Sequence, residues 1–158
     1  YAVAAARAII QDLPKLLGDL GNLDLRSSIA EASLNAGLAF SNTKTAIAHN
    51  ISYPITLGWG VQHGIACSFT LPTILQSVIG IGGFREESLK AIFGDDLIKG
   101  ADNLTVFLKQ LGVGHRFADH KIPSESFQTI VFVSANEIAE TVINIDFSKN
   151  DKMETVLL

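Results

Sequence analysis

Apolar side chains recur every three or four residues along nearly the whole chain. That spacing gathers one apolar stripe on an α-helix, and runs of alternating β-branched residues between turn signals are scarce. The pattern predicts an all-α fold. Ala2 to Leu17 reads as a helix disturbed at Pro14, and Asp24 as the cap of a second, Leu25 to Phe40, with Ile29, Ala32, Ala36 and Phe40 on its inner face. A third begins at Asn42 or Thr43 and weakens near Pro54, and a fourth runs from Gln62 to Val78 with Pro72 inside it. After a glycine-rich turn at Gly80 to Gly83 come Arg85 to Phe93, Gly100 to Leu111, Pro123 to Glu140 and Lys149 to Leu158, the last capped by Ser148. Only Val142 to Phe147 has the pattern of a short strand.

At 158 residues, one domain is the default, and the chain is long enough to close a core without staples. A single cysteine, Cys67, cannot form an internal disulfide, which fits a cytoplasmic protein. The chain opens on an apolar, alanine-rich stretch without a start methionine, a signal-peptide basic region or an N-cap, so it is expected to be a piece of something longer. A net charge of -4 gives no electrostatic footprint for nucleic acid or an anionic membrane, and neither is expected as a partner.

Charge is sparse, at 18% of residues against the roughly 25% usual for soluble domains. The deficit is concentrated: from Thr45 to Phe84 there is no Asp, Glu, Lys or Arg. A membrane hairpin needs about 20 predominantly apolar residues per span, and His49, Asn50, Ser52, Thr56, Gln62, His63 and Ser68 interrupt the stretch too often. A helical layer covered by another domain accounts for both the missing charge and the retained polar groups.

Within that layer lie His49 and His63. On one straight helix they would stand about 21 Å apart at ~1.5 Å rise per residue, so no metal ion could touch both. Pro54, Gly58 and Gly60, between them, are residue types that break a helix and turn it back. Spacing alone leaves two readings open, a shared metal site and a pair of satisfied core histidines. Cys67, four residues after His63 on the same helical face, is either a third soft ligand or a small core residue, and the second is the more ordinary. His115 and His120 fall in a polar loop segment and are read as surface imidazoles. Gly80-Ile-Gly82-Gly83 follows a helix rather than a strand and is no nucleotide fingerprint.

Asn42-Thr-Lys-Thr-Ala-Ile-Ala-His49, Tyr53-Pro54, Gly60-Val-Gln-His63-Gly64-Ile-Ala and Leu71-Pro72 together closely resemble the signature of iron-containing (group III) alcohol dehydrogenases. The match is specific over residues 37 to 72. The resemblance implies the all-helical, C-terminal metal- and substrate-binding domain of a two-domain enzyme of the dehydroquinate synthase-like type. Residues 1 to 158 would form that domain, truncated at its N-terminus, and an N-terminal nucleotide-binding domain lying outside the chain would hold NAD(P). His49 and His63 correspond to the last two of four metal ligands, the first two, an Asp and a His, lying upstream of Tyr1. Fe2+ is the family's usual metal, and Zn2+ suits the same ligands.

The family often has a further histidine where this chain has Tyr53, near the nicotinamide. Tyr53 is therefore the catalytic candidate, although a phenol relays protons less readily than imidazole at neutral pH. The implied reaction is metal-assisted hydride transfer between a small alcohol or aldehyde and NAD(P) by a homo-oligomeric enzyme, with this fragment inactive alone. Ser52-Tyr53-Pro54 is similar to branches that include phosphonate-aldehyde reductases. The alternative from another class is a free-standing helical interaction module whose histidines are structural.

Overall fold

The computed structural model describes residues 1–41, 43, 45–123, 125, 126 and 130, and every regular element among them is helical. The described residues adopt the expected all-α architecture. The described residues gather into two compact units, one within 1–43 and 79–112, the other within 45–78 and 113–130. The expected helices Pro123 to Glu140 and Lys149 to Leu158, the Ser148 cap and the Val142 to Phe147 strand fall largely or wholly outside the described residues. Among those described, no helix is long and apolar enough to cross a membrane.

The first unit contains α1 (Ala2–Gly18), α2 (Leu23–Ser41), α6 (Gly83–Phe93) and α7 (Leu97–Gln110). Pro14 lies inside α1, which continues past it to Gly18. α2 begins two residues earlier than expected, because Asn22 rather than Asp24 supplies the cap: the Leu25 N–H donates to its Oδ1 at 3.0 Å. Ala32 is buried as the periodicity required, whereas Phe40, expected on the inner face, is 59% exposed in the last turn of α2. α1 packs on α2 and α6, and α6 packs on α7. Asp12 ties α1 to α2, accepting from Ser28 Oγ at 2.7 Å and from Lys15 Nζ at 2.8 Å. These two hydrogen bonds, Lys15's first, hold the Asp12 carboxyl below the ordinary aspartate range. α7 starts at Leu97, three residues before the expected Gly100, since Asp96 accepts from the Lys99 N–H and Leu97 is already in the core.

The second unit contains α3 (Ile47–Trp59), α4 (His63–Ser68), α5 (Leu71–Ser77) and a 3-10 turn at Phe117–His120. The helix expected from Gln62 to Val78 is thus two helices. Pro72 has no N–H to give the Ser68 carbonyl and its ring crowds that group, so the chain breaks at Phe69 and Thr70 and resumes with Pro72 in the first turn of α5. Ile51, Ile55, Ala66, Phe69, Ile122 and Ile130 form the core, with Ile55 and Phe69 almost completely enclosed. Burying each of those two side chains contributes about 1.5–3 kcal/mol. The core fixes α3 against α4, and the candidate site sits on that pair.

Candidate metal centre

α3 carries His49 in its first turn and Tyr53 one turn later. The helix runs unbroken through Pro54 and Gly58, so neither turns the chain. The reversal is made at Gly60, whose φ of 68° lies in the left-handed region and whose N–H closes α3 onto the Thr56 carbonyl at 3.1 Å. Three residues later α4 opens with His63.

The return brings the two histidines together, with ring centroids 4.7 Å apart and planes nearly perpendicular at 87°. Cys67, one turn along α4, faces both rings rather than the core. Its Sγ lies 3.6 Å from His49 Nδ1 and 3.7 Å from His63 Nε2. One donor atom from each of His49, His63 and Cys67 falls within a common 4.8 Å. All three belong to the second unit, and His49 and Cys67 are half-buried while His63 is exposed. Two imidazole nitrogens and a sulfur are a donor set suited to a divalent transition ion.

Ser52, which sequence reasoning passed over, orders this cluster. It is fully buried, its hydroxyl donates to the His49 carbonyl, and its Oγ stands 3.3 Å from His63 Nδ1. With the hydroxyl proton committed to the carbonyl, Oγ is left to accept, which places the ring proton of His63 on Nδ1 and leaves the Nε2 lone pair facing Cys67. The available signal was its place three residues after His49, on the side of the helix that must face inward.

Tyr53 is 45% exposed, its ring edge-on to His49 at 5.2 Å and stacked on His63 at 5.8 Å and 24°. Leu57, a further turn along α3, is 86% exposed, and Trp59 is partly exposed. His115 and His120 join no cluster of candidate ligands among the described residues. His120 is not the surface imidazole expected: it is half-buried against the Phe69 ring at 4.5 Å and donates from Nε2 to the Gly114 carbonyl at 2.9 Å. The Phe117–His120 turn is held by Asp119, which accepts from the Arg116 N–H at 3.1 Å and from its Nη2 at 2.9 Å.

The chain is similar to the probable NADH-dependent butanol dehydrogenase 2 of Bacillus subtilis (strain 168), 25% identical over a 148-residue alignment that covers 85% of this chain and 38% of that protein. It is similar to the probable NADH-dependent butanol dehydrogenase 1 of the same organism, 26% identical over a 137-residue alignment that covers 78% and 35% of the two chains. A phosphonoacetaldehyde reductase of Streptomyces viridochromogenes is 30% identical over 76 residues, 48% of this chain and 19% of that one. The chain thus spans little more than a third of the butanol dehydrogenases it matches. No solved structure matches at a significant level. The profile of the C-terminal part of the Fe-containing alcohol dehydrogenase family matches residues 1–158 throughout, so the chain belongs to that family.

Proposed function

We propose that residues 1–158 are the metal- and substrate-binding part of a metal-dependent alcohol dehydrogenase that moves hydride between a small alcohol or aldehyde and NAD(P). The observation that carries this reading is the convergence of His49, His63 and Cys67 on one point from positions up to a helical hairpin apart. Family membership and the NADH-dependent relatives point the same way. NAD(P) is held mainly by a nucleotide-binding domain outside residues 1–158, and the working enzyme is a cytoplasmic homo-oligomer.

His49 and His63 would hold the ion; Nδ1 of the first and Nε2 of the second face Cys67. When bound, the ion supplies Lewis acidity that polarises the substrate oxygen, and the nicotinamide supplies the site for hydride. Ser52 keeps His63 in the tautomer that presents its lone pair. Tyr53 lines the approach, its ring packed on both imidazoles and its exposed portion free to meet substrate or nicotinamide. Leu57 and Trp59 extend an apolar, uncharged wall, of the kind that excludes water once a second domain and substrate cover it. Fe2+ is the family's metal by name, and Zn2+ suits the same nitrogens.

The substrate class is tested by assaying the full-length protein, after metal analysis, against straight-chain alcohols and a phosphonate aldehyde with NADH and NADPH. The phosphonate aldehyde belongs in the panel because of the Ser52-Tyr53-Pro54 sequence and the Streptomyces relative. Metal-dependent turnover of any of these supports the reading. A metal-free protein that turns over none of them contradicts it.

A further inference from the structure

We propose that the part of the substrate beyond its reacting carbon is an uncharged alkyl chain laid along the Tyr53–Leu57 face of α3, with Leu57 setting the preference for chain length. The inference rests on the alcohol dehydrogenase reading above and deepens it, because it names the substrate class and a residue that selects for it.

Three features carry it. The first is register. His49, Tyr53 and Leu57 follow one another at four-residue spacing on an unbroken helix, which puts them along one face, while Ile51, Ser52 and Ile55 take the buried side. At ~1.5 Å rise per residue, Leu57 stands about 12 Å along the axis from His49 and about 6 Å beyond Tyr53. A molecule bound at the histidines and directed along α3 therefore passes the Tyr53 ring, which packs on both imidazoles, before it reaches Leu57. The second is exposure. Leu57 is the most exposed large apolar side chain among the described residues, and it stands one helical turn from the half-exposed Tyr53 ring. An apolar strip leading away from a polar cluster is the form of a small-molecule site, in which a few polar groups fix the reacting end and apolar surface takes the rest.

The third is charge. Neither α3 nor α4 has an Asp, Glu, Lys or Arg, so a phosphonate or carboxylate at the far end of the substrate would lose hydration there with no Lys or Arg to pair it. Among the described residues of this unit, the Lys and Arg side chains are those of Arg116 and Lys121, on either side of the 3-10 turn whose Phe117 and His120 pack on Phe69. Arg116 is already paired with Asp119 at 2.9 Å. An alkyl chain needs no such partner.

The test measures aldehyde reduction by the full-length, metal-loaded protein with NADH and NADPH, over acetaldehyde, butanal, hexanal and a two-carbon phosphonate aldehyde. Each methylene buried against the strip should raise kcat/KM by up to about fourfold, and the phosphonate aldehyde should fall below butanal. Leu57→Ser should lower the hexanal-to-acetaldehyde ratio of kcat/KM at least about fivefold. Leu57→Lys should raise the phosphonate aldehyde relative to butanal, since it puts a cation on a face that has none. Each ratio is taken on one preparation, so partial loss of metal or of fold cancels. A parent whose kcat/KM does not rise with chain length, a parent that prefers the phosphonate aldehyde, or either Leu57 variant keeping the parent's ratio overturns the proposal and leaves the enzyme reading intact. Turnover of none of the aldehydes by the metal-loaded parent overturns both.

Discussion

Ser52 Oγ lies 3.3 Å from His63 Nδ1 while its own proton goes to the His49 carbonyl, so one buried hydroxyl spans the two histidines that face each other across the α3–α4 hairpin. Such outer partners orient a metal-binding imidazole and fix its tautomer, and losing one typically costs about 10–100-fold in metal affinity. Ser52→Ala is therefore expected to weaken Zn2+ binding by that factor in chelator competition, with circular dichroism unchanged. An unchanged affinity would show that the hydroxyl only fills space.

In the first unit, packing and helix propensity compete at Gly100. A Cβ there would meet the Phe93 Cβ at 2.7 Å, close to the backbone where little can yield. Overpacking of this kind costs about 1–3 kcal/mol, against a helix-propensity gain of about 1 kcal/mol for replacing an interior glycine. Gly100→Ala should therefore lower stability by about 1 kcal/mol in urea unfolding, the net of those two effects. Gly37→Ala, inside α2 with nothing near its Cβ, should instead raise stability by about 0.5–1 kcal/mol.

Asp12 makes the α1–α2 contact sensitive to acid. Its folded-state pKa is depressed by the Lys15 and Ser28 hydrogen bonds, so the carboxylate contributes stability that is fully present above the unfolded value of about 3.9. That contribution fades as pH falls through the ordinary value and is gone below the lower folded one. Asp12→Asn should accordingly be less stable than the parent at neutral pH and lose less on acidification, which urea midpoints measured across the acid range would show. Equal losses in both proteins would assign the acid sensitivity to other carboxylates.

Most helices were legible because an apolar stripe repeating every three or four residues has one inexpensive solution, burial of one helical face. Breaks were harder. Pro14, Pro54 and Pro72 look alike in sequence, yet α1 and α3 continue past the first two and only Pro72 marks a division. Proline removes one hydrogen bond and crowds one carbonyl, and tertiary packing decides whether the helix absorbs that or ends. Likewise Gly58 and Gly60 were equal candidates for the reversal until the positive φ fell to Gly60. Spacing left the histidine pair open between ligands and core residues and only the family resemblance made them ligands, while the facing of Cys67 and the tie through Ser52 depend on how α4 is rotated against α3. Ile55, Ala66 and Phe69 set that rotation from the core side. His120 shows the same limit, since its burial comes from Phe69, which is far away in sequence.

The proposed division of labour between His63 and Tyr53 gives the most discriminating test of the enzyme. His63→Ala removes an imidazole whose Nε2 faces the cluster, and with it a ligand that keeps the Lewis acid in place. Lewis-acid stabilisation is worth several kcal/mol of barrier, and each ~1.4 kcal/mol is tenfold in rate, so kcat/KM in the full-length protein should fall at least about a hundredfold. Metal content should fall with it. Tyr53→Phe keeps the ring that packs on both imidazoles and deletes only the hydroxyl. Its metal stoichiometry should match the parent's, while turnover drops modestly or changes its dependence on pH. Metal analysis and steady-state kinetics on the two variants separate holding the ion from assisting the transfer. If His63→Ala keeps both its metal and its rate, the histidine is a packing residue. If Tyr53→Phe loses metal as His63→Ala does, the aromatic contact with the histidines depends on the hydroxyl, and Tyr53 supports the centre rather than the chemistry.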